Sequence, residues 1–134
     1  MPDPKVSVLI AEDEDSVRTS LAKILEVVGY HVRSSADGLA ALIEMEDGLP
    51  DILISDLNMP RMSGFELLDV VRSRFPGVRV IAMSGAFGGD QIPVGVTADD
   101  FYQKGFGVAT LLKKLEMLPS RSERSSGLKG RLLA

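Results

Sequence analysis

Short apolar runs alternate along the chain with segments whose apolar residues recur every three to four positions. Runs of the first kind, bounded by turn signals, read as buried strands, and segments of the second kind as amphipathic helices. Strands are predicted at 5–11, 30–35, 51–56, 78–83 and 98–103. The second is the most polar and is expected at an edge. The helix after the first strand carries Val17, Leu21, Ile24, Leu25 and Val28 on one face until Gly29 stops it. Asp37 and Gly38 open a second helix that runs to about Met45. Ser63 and Gly64 precede a third, with Phe65, Leu68 and Val71 inward, which ends before the turn signal Pro76-Gly77. Residues 107–118 form the last helix, with Val108, Leu111, Leu112 and Leu115 facing the core.

Between the fourth and fifth strands the pattern breaks, because Gly85, Gly88, Gly89, Pro93 and Gly95 fall where a helix is due. In a helix interior each Gly costs about 1 kcal/mol and Pro about 3. With Asp90 as N-cap, Pro93 falls in the first turn, where the N–H groups lack partners anyway. The fourth helix is therefore predicted to be short, about 91–97. After Pro119 the chain turns polar and loses periodicity, which reads as a disordered tail or the stub of a linker over 119–134.

Strands alternating with helices predict an α/β fold, a doubly wound five-stranded parallel sheet covered on both faces. The 134 residues suffice for one domain, placed at 1–118, with a core of its own. No cysteine is present, so disulfides and thiolate metal sites are excluded and a cytoplasmic setting is favoured. No apolar stretch reaches the ~20 residues of a membrane span. The net charge of −4 conceals an asymmetry: residues 1–118 hold 11 Lys and Arg against 18 Asp and Glu, whereas 119–134 hold four against one. An acidic body argues against nucleic-acid binding, which depends on clustered Lys and Arg.

In open α/β sheets ligands bind beyond the carboxyl ends of the strands, where the strand order reverses. Those ends carry Glu12 and Asp13, then Asp56 with Asn58 close behind, then Ser84, then Lys104. Converging carboxylates repel unless a cation intervenes, and Mg²⁺, a hard ion that takes a couple of carboxylates, waters and phosphate oxygens, suits the set. Lys104 supplies a compact positive charge and Ser84 a hydroxyl for further phosphate oxygens. Glu14 and Asp15 start the first helix, where negative charge favours the dipole and Asp15 is placed to cap it.

In order and spacing, Ala11-Glu12-Asp13-Glu14, Ser55-Asp56-Leu57-Asn58-Met59-Pro60 with Ser63-Gly64, Met83-Ser84-Gly85-Ala86 and Ala98-Asp99-Asp100-Phe101-Tyr102-Gln103-Lys104 resemble the receiver domain of two-component response regulators over residues 5–118. The resemblance implies the flavodoxin-like strand order 2-1-3-4-5 and a single-domain, chemotaxis-type architecture. It implies Asp56 as phosphoacceptor from a phosphohistidine, with Mg²⁺ on Asp13 and Asp56, on Glu12 through water, and on the Asn58 backbone carbonyl. Ser84 and Lys104 would bind the phosphoryl oxygens, and Ser84 and Phe101 would form the switch. The implied partners are a sensor histidine kinase or phosphotransfer protein and an unknown downstream protein. The chain is then a signalling phosphoacceptor that promotes its own phosphorylation and dephosphorylation rather than a turnover enzyme.

The chain departs from the family pattern where Gly105, not proline, follows Lys104, which favours a trans peptide there. Phe101 lacks the hydroxyl a tyrosine would bring, and the glycine-rich fourth helix alters a face used for output. These departures support an alternative, a pseudo-receiver that acts as a phosphorylation-independent interaction module. Taken singly, Asp56 reads as a turn cap, Lys104 as a surface charge and Ser84 as a turn residue; their conjunction carries the chemistry. His31, in a polar strand, reads as structural, and no phosphate-cradling glycine loop is present. The sixteen residues after Leu118 are too few for a DNA-binding domain, so the chain is expected either to act alone or to be a fragment.

Overall fold

The computed structural model describes residues 6–59, 61–85, 98–105 and 107–118. They form β1 (Ser7–Ala11), α1 (Asp15–Val28), β2 (His31–Ser35), α2 (Gly38–Asp47), β3 (Ile52–Asp56), α3 (Gly64–Arg74), β4 (Arg79–Ser84), β5 (Asp100–Gln103) and α4 (Val108–Met117). The five strands make one sheet in the order β2-β1-β3-β4-β5, every pair parallel, as expected. β2 is at an edge and β3 at the centre, which matches the polar pattern of the one and the full burial of the other. The predicted short helix at 91–97, its cap Asp90 and the tail at 119–134 lie outside the described residues.

The two-residue period of a strand sorts its side chains to opposite faces, and each face has its own core. Leu9, Ala11, Leu53, Val80, Ala82 and Phe101 pack against α2 and α3. Val8, Ile10, Ile52, Ile54, Ile81, Met83 and Tyr102 pack against α1 and α4. Fully burying one such Ile or Leu contributes about 1.5–3 kcal/mol.

Helix ends follow local chemistry. The Asp37 carboxylate accepts the Ala40 N–H at 2.8 Å and starts α2. Ser63 and Glu66 form a capping box at α3, each side chain accepting the other's backbone N–H. Gly29, at φ +121°, ends α1, with its N–H donating to the Leu25 and Glu26 carbonyls. Three expectations need correction. Asp15 is not the cap of α1: it is the first helical residue and pairs with Arg18, while the cap position falls to Glu14. Val28 has the right angle around α1 but is 52% exposed, because it is the last helical residue and no described element covers it. On α3 the fully buried residue beside Leu68 is Leu67, and Phe65 is only half-buried.

Candidate functional site

The strand order reverses between β1 and β3: the chain leaves β1 for β2 on one side and then crosses to β3 on the other. The crevice at their carboxyl ends is where ligands of such sheets bind. Register decides what meets there. Ala11 is level with Ser55, so Glu12 falls beside Asp56; Ser84 is level with Gln103, so Lys104 lies one step beyond.

Facing follows from the same period. Val8-Ile10-Glu12 and Ile52-Ile54-Asp56 are rows on the α1/α4 face, each apolar until its last member, and Tyr102-Lys104 continues a third. The core of that face thus ends in two carboxylates and an ammonium. Lys104 Nζ lies 3.0 Å from Asp56 Oδ2 and 2.5 Å from Glu12 Oε1. Glu12 is fully buried and Asp56 nearly so. Burial pushes the Glu12 carboxyl up, and although Lys104 and the Glu14 N–H oppose this, the net shift is upward, with the Asp56 charge adding to it. Burial would lower the Lys104 ammonium, but its bonds to Glu12 and Asp56 outweigh that and raise it, so Lys104 stays charged.

The loops are held mainly by hydrogen bonds between side chains and backbone. Glu12 Oε2 accepts the Glu14 N–H at 3.0 Å, and Arg18 donates to the Glu12 carbonyl at 2.8 Å. Asn58 N–H donates to Asp56 Oδ1 at 3.2 Å. Ser84 is buried at the end of β4, and its carbonyl accepts the Lys104 N–H at 3.0 Å. Phe101 is buried against the α2/α3 core. The Lys104–Gly105 peptide is trans, as expected from the missing proline.

Carboxylate oxygens of Glu12, Asp13 and Asp56 lie within 4.8 Å of one another, with Asp13 exposed and the other two buried. An all-oxygen set with one ligand open to water fits a hard divalent cation and does not fit a soft metal. Glu12, Asp13, Asp56, Ser84 and Lys104 are therefore gathered at one crevice, Asn58 joins through the loop, and Phe101 lies on the opposite face of β5. Arg18 and Tyr102 also border the site, although the residue pattern gave them no role. Arg18 reads as an ordinary exposed helix charge, and Tyr102 as one more apolar position of a short strand.

Residues 8–116 match the family model described as response regulator receiver domain. The chain belongs to the response regulator receiver family. Response regulator RR06 of Streptococcus pneumoniae is 34% identical to this receiver over 120 residues, which are 87% of this chain and 54% of the relative. The receiver thus spans about half the length of the curated relatives it matches. Among solved structures, the chemotaxis protein CheY4 of Vibrio cholerae is similar at 32% identity and a TM-score of 0.78, over 87% of this chain and 100% of that one. TrrA of Thermotoga maritima, in complex with Mg²⁺-BeF, is similar at 26% identity and a TM-score of 0.77, over 84% and 97% of the two chains. The receiver is accordingly a module of two-component signalling, and none of its described helices is long and apolar enough to cross a membrane.

Proposed function

We propose that Asp56 accepts a phosphoryl group from a phosphohistidine on a sensor histidine kinase or phosphotransfer protein, and that the phosphorylated receiver changes its affinity for a downstream protein. The observation that carries this reading is the placement of Asp56 between Glu12 and Lys104 at the reversal of strand order. An Asp56 carboxylate oxygen attacks phosphorus, the O–P bond forms as the P–N bond breaks, and the electron pair leaves with the imidazole. Lys104 Nζ, already 3.0 Å from Asp56 Oδ2, swings from carboxylate to phosphoryl oxygens. Ser84 offers its hydroxyl to another phosphoryl oxygen, and with Phe101 on the strand beside it forms the switch.

Mg²⁺ would be held by Asp13 and Asp56, by Glu12 and by the Asn58 backbone, where it would neutralise charge on the transferred group. The Mg²⁺-BeF complex of TrrA supports that choice of ion. Three carboxylates stand against the one Lys104 ammonium, so the crevice is negative enough to draw a divalent cation to its open, Asp13 side. The receiver works as a phosphoacceptor in the cytoplasm and promotes the loss of its own phosphoryl group, with no external substrate turned over.

Incubation with a small phosphodonor and Mg²⁺, followed by intact mass measurement, tests the reading. One phosphoryl group per chain is expected, with none in Asp56→Asn. An unmodified parent chain would instead support the constitutive interaction module, for which the missing proline at Gly105 is the favouring feature.

A further inference from the structure

Lys104 has to hold its ammonium against Glu12 and Asp56, yet the backbone that follows it carries two glycines at positive φ. Its N–H is tied to the Ser84 carbonyl at 3.0 Å, but Gly105 follows at φ +95° and Gly107 at φ +89°. A Cβ at either glycine would meet nothing within 4 Å, so packing does not stiffen them. Glycines at positive φ rotate with little penalty, and proline, which would fix φ, is absent.

Tyr102 compensates from below. It stands two residues before Lys104, on the same face of the sheet, and both side chains line a cavity of about 360 Å³ against α1. Tyr102 is 8% exposed and belongs to the core beneath α1 and α4. Its hydroxyl donates to the Gly107 carbonyl at 3.1 Å, so the chain is closed on itself around Lys104 and Gly105. The same carbonyl accepts the Thr110 N–H at 3.2 Å, which joins the closure to the first turn of α4. A buried phenol needs some acceptor, and the simpler account is that Gly107 merely satisfies it. What sets this contact apart is that it reaches from the residue two before Lys104 to the second of the two glycines after it.

We propose that Tyr102 is a positioning residue for Lys104: its hydroxyl ties the glycine-containing backbone after β5 to the strand and so fixes where the Lys104 ammonium stands over Asp56. The inference rests on the reading of Asp56 as phosphoacceptor. Tyr102→Phe keeps the ring and removes only the tie. Phosphorylation rates with a small phosphodonor and saturating Mg²⁺ are compared for the parent, Tyr102→Phe, Lys104→Ala and the double variant. Loss of one neutral hydrogen bond predicts a roughly three- to tenfold slower rate for Tyr102→Phe, and no further loss from it when Lys104 is already alanine. An unchanged rate, or the same fold loss in both backgrounds, overturns the proposal. Amide hydrogen exchange gives a readout that needs no phosphorylation: the Lys104 amide should exchange faster in Tyr102→Phe while the amides of β1 do not. Should the parent take no phosphoryl group, the phosphoacceptor reading falls, and an unchanged Lys104 exchange rate then overturns the role of Tyr102 as well.

Discussion

Gly64 is the point at which α3 meets the strand that carries Asp56. A Cβ built there would lie 2.1 Å from the Asp56 carbonyl oxygen and 2.5 Å from Leu57 Cα, both backbone atoms that cannot turn aside. Gly64→Ala therefore pushes α3 away from the end of β3 and is expected to destabilise the fold by about 1–3 kcal/mol or more, with loss of phosphorylation. Gly48→Ala is the control: Gly48 is in extended backbone at φ −174° and a Cβ built there would meet no atom closer than 4.0 Å, so chemical denaturation should show little change. The sequence made Asp56, Glu12 and Lys104 legible because each ends an apolar row with a charge. It did not reveal the close approach at Gly64, where a serine and a glycine before an amphipathic run already satisfy the rule for a helix start. The same holds for Tyr102, whose hydroxyl partner is set by the two positive-φ glycines after the strand.

At the scale of elements, the entrance of β5 is clamped by one carboxylate. Asp99 Oδ2 accepts the Val80 N–H at 2.7 Å and pairs with Arg72 of α3 at 2.9 Å and Arg79 of β4 at 3.5 Å. Burial pushes the Asp99 carboxyl up, but the Val80 N–H and the two guanidinium groups outweigh it, and the net shift is below the usual carboxylate range. A depressed pKa in the fold gives stability that is present above the unfolded value of about 3.9 and is lost as pH falls through the folded value. Asp99→Asn should cost about 1.5–3 kcal/mol at neutral pH and flatten the decline of stability below about pH 4, as read by urea unfolding across pH. A variant as acid-labile as the parent would show that the clamp does not contribute. Element type and order were legible in the chain because strand runs and helix periods differ in kind. Clamps were not, since Asp99 and Arg72 are 27 positions apart and only the packing of α3 over β4 and β5 brings them together. The exposed end of α1 at Val28 has the same cause: periodicity gives the angle of a side chain around its helix but not where cover ends.

Over the whole molecule, residues 1–118 carry a net −7, and the strand ends gather three of those acids within 4.8 Å. A cation that binds only the folded crevice stabilises it by RT ln(1 + [L]/Kd), about 1.4 kcal/mol at ten times Kd. Thermal unfolding with and without Mg²⁺ should thus show a rise in Tm that Asp13→Ala removes and Glu14→Ala keeps, since Glu14 lies outside the cluster; equal effects of the two variants would misplace the site. The crevice itself was legible as a consequence of topology, because a parallel sheet brings its strand ends to one edge. Asp56 is the proposed acceptor of the phosphoryl group. The most direct test is to phosphorylate the chain with Mg²⁺ present, reduce the acyl phosphate with borohydride and map the reduced residue by peptide mass. Reduction at position 56 alone is predicted, whereas a reduced Glu12 or Asp13, or reduction that persists elsewhere in Asp56→Asn, would contradict it.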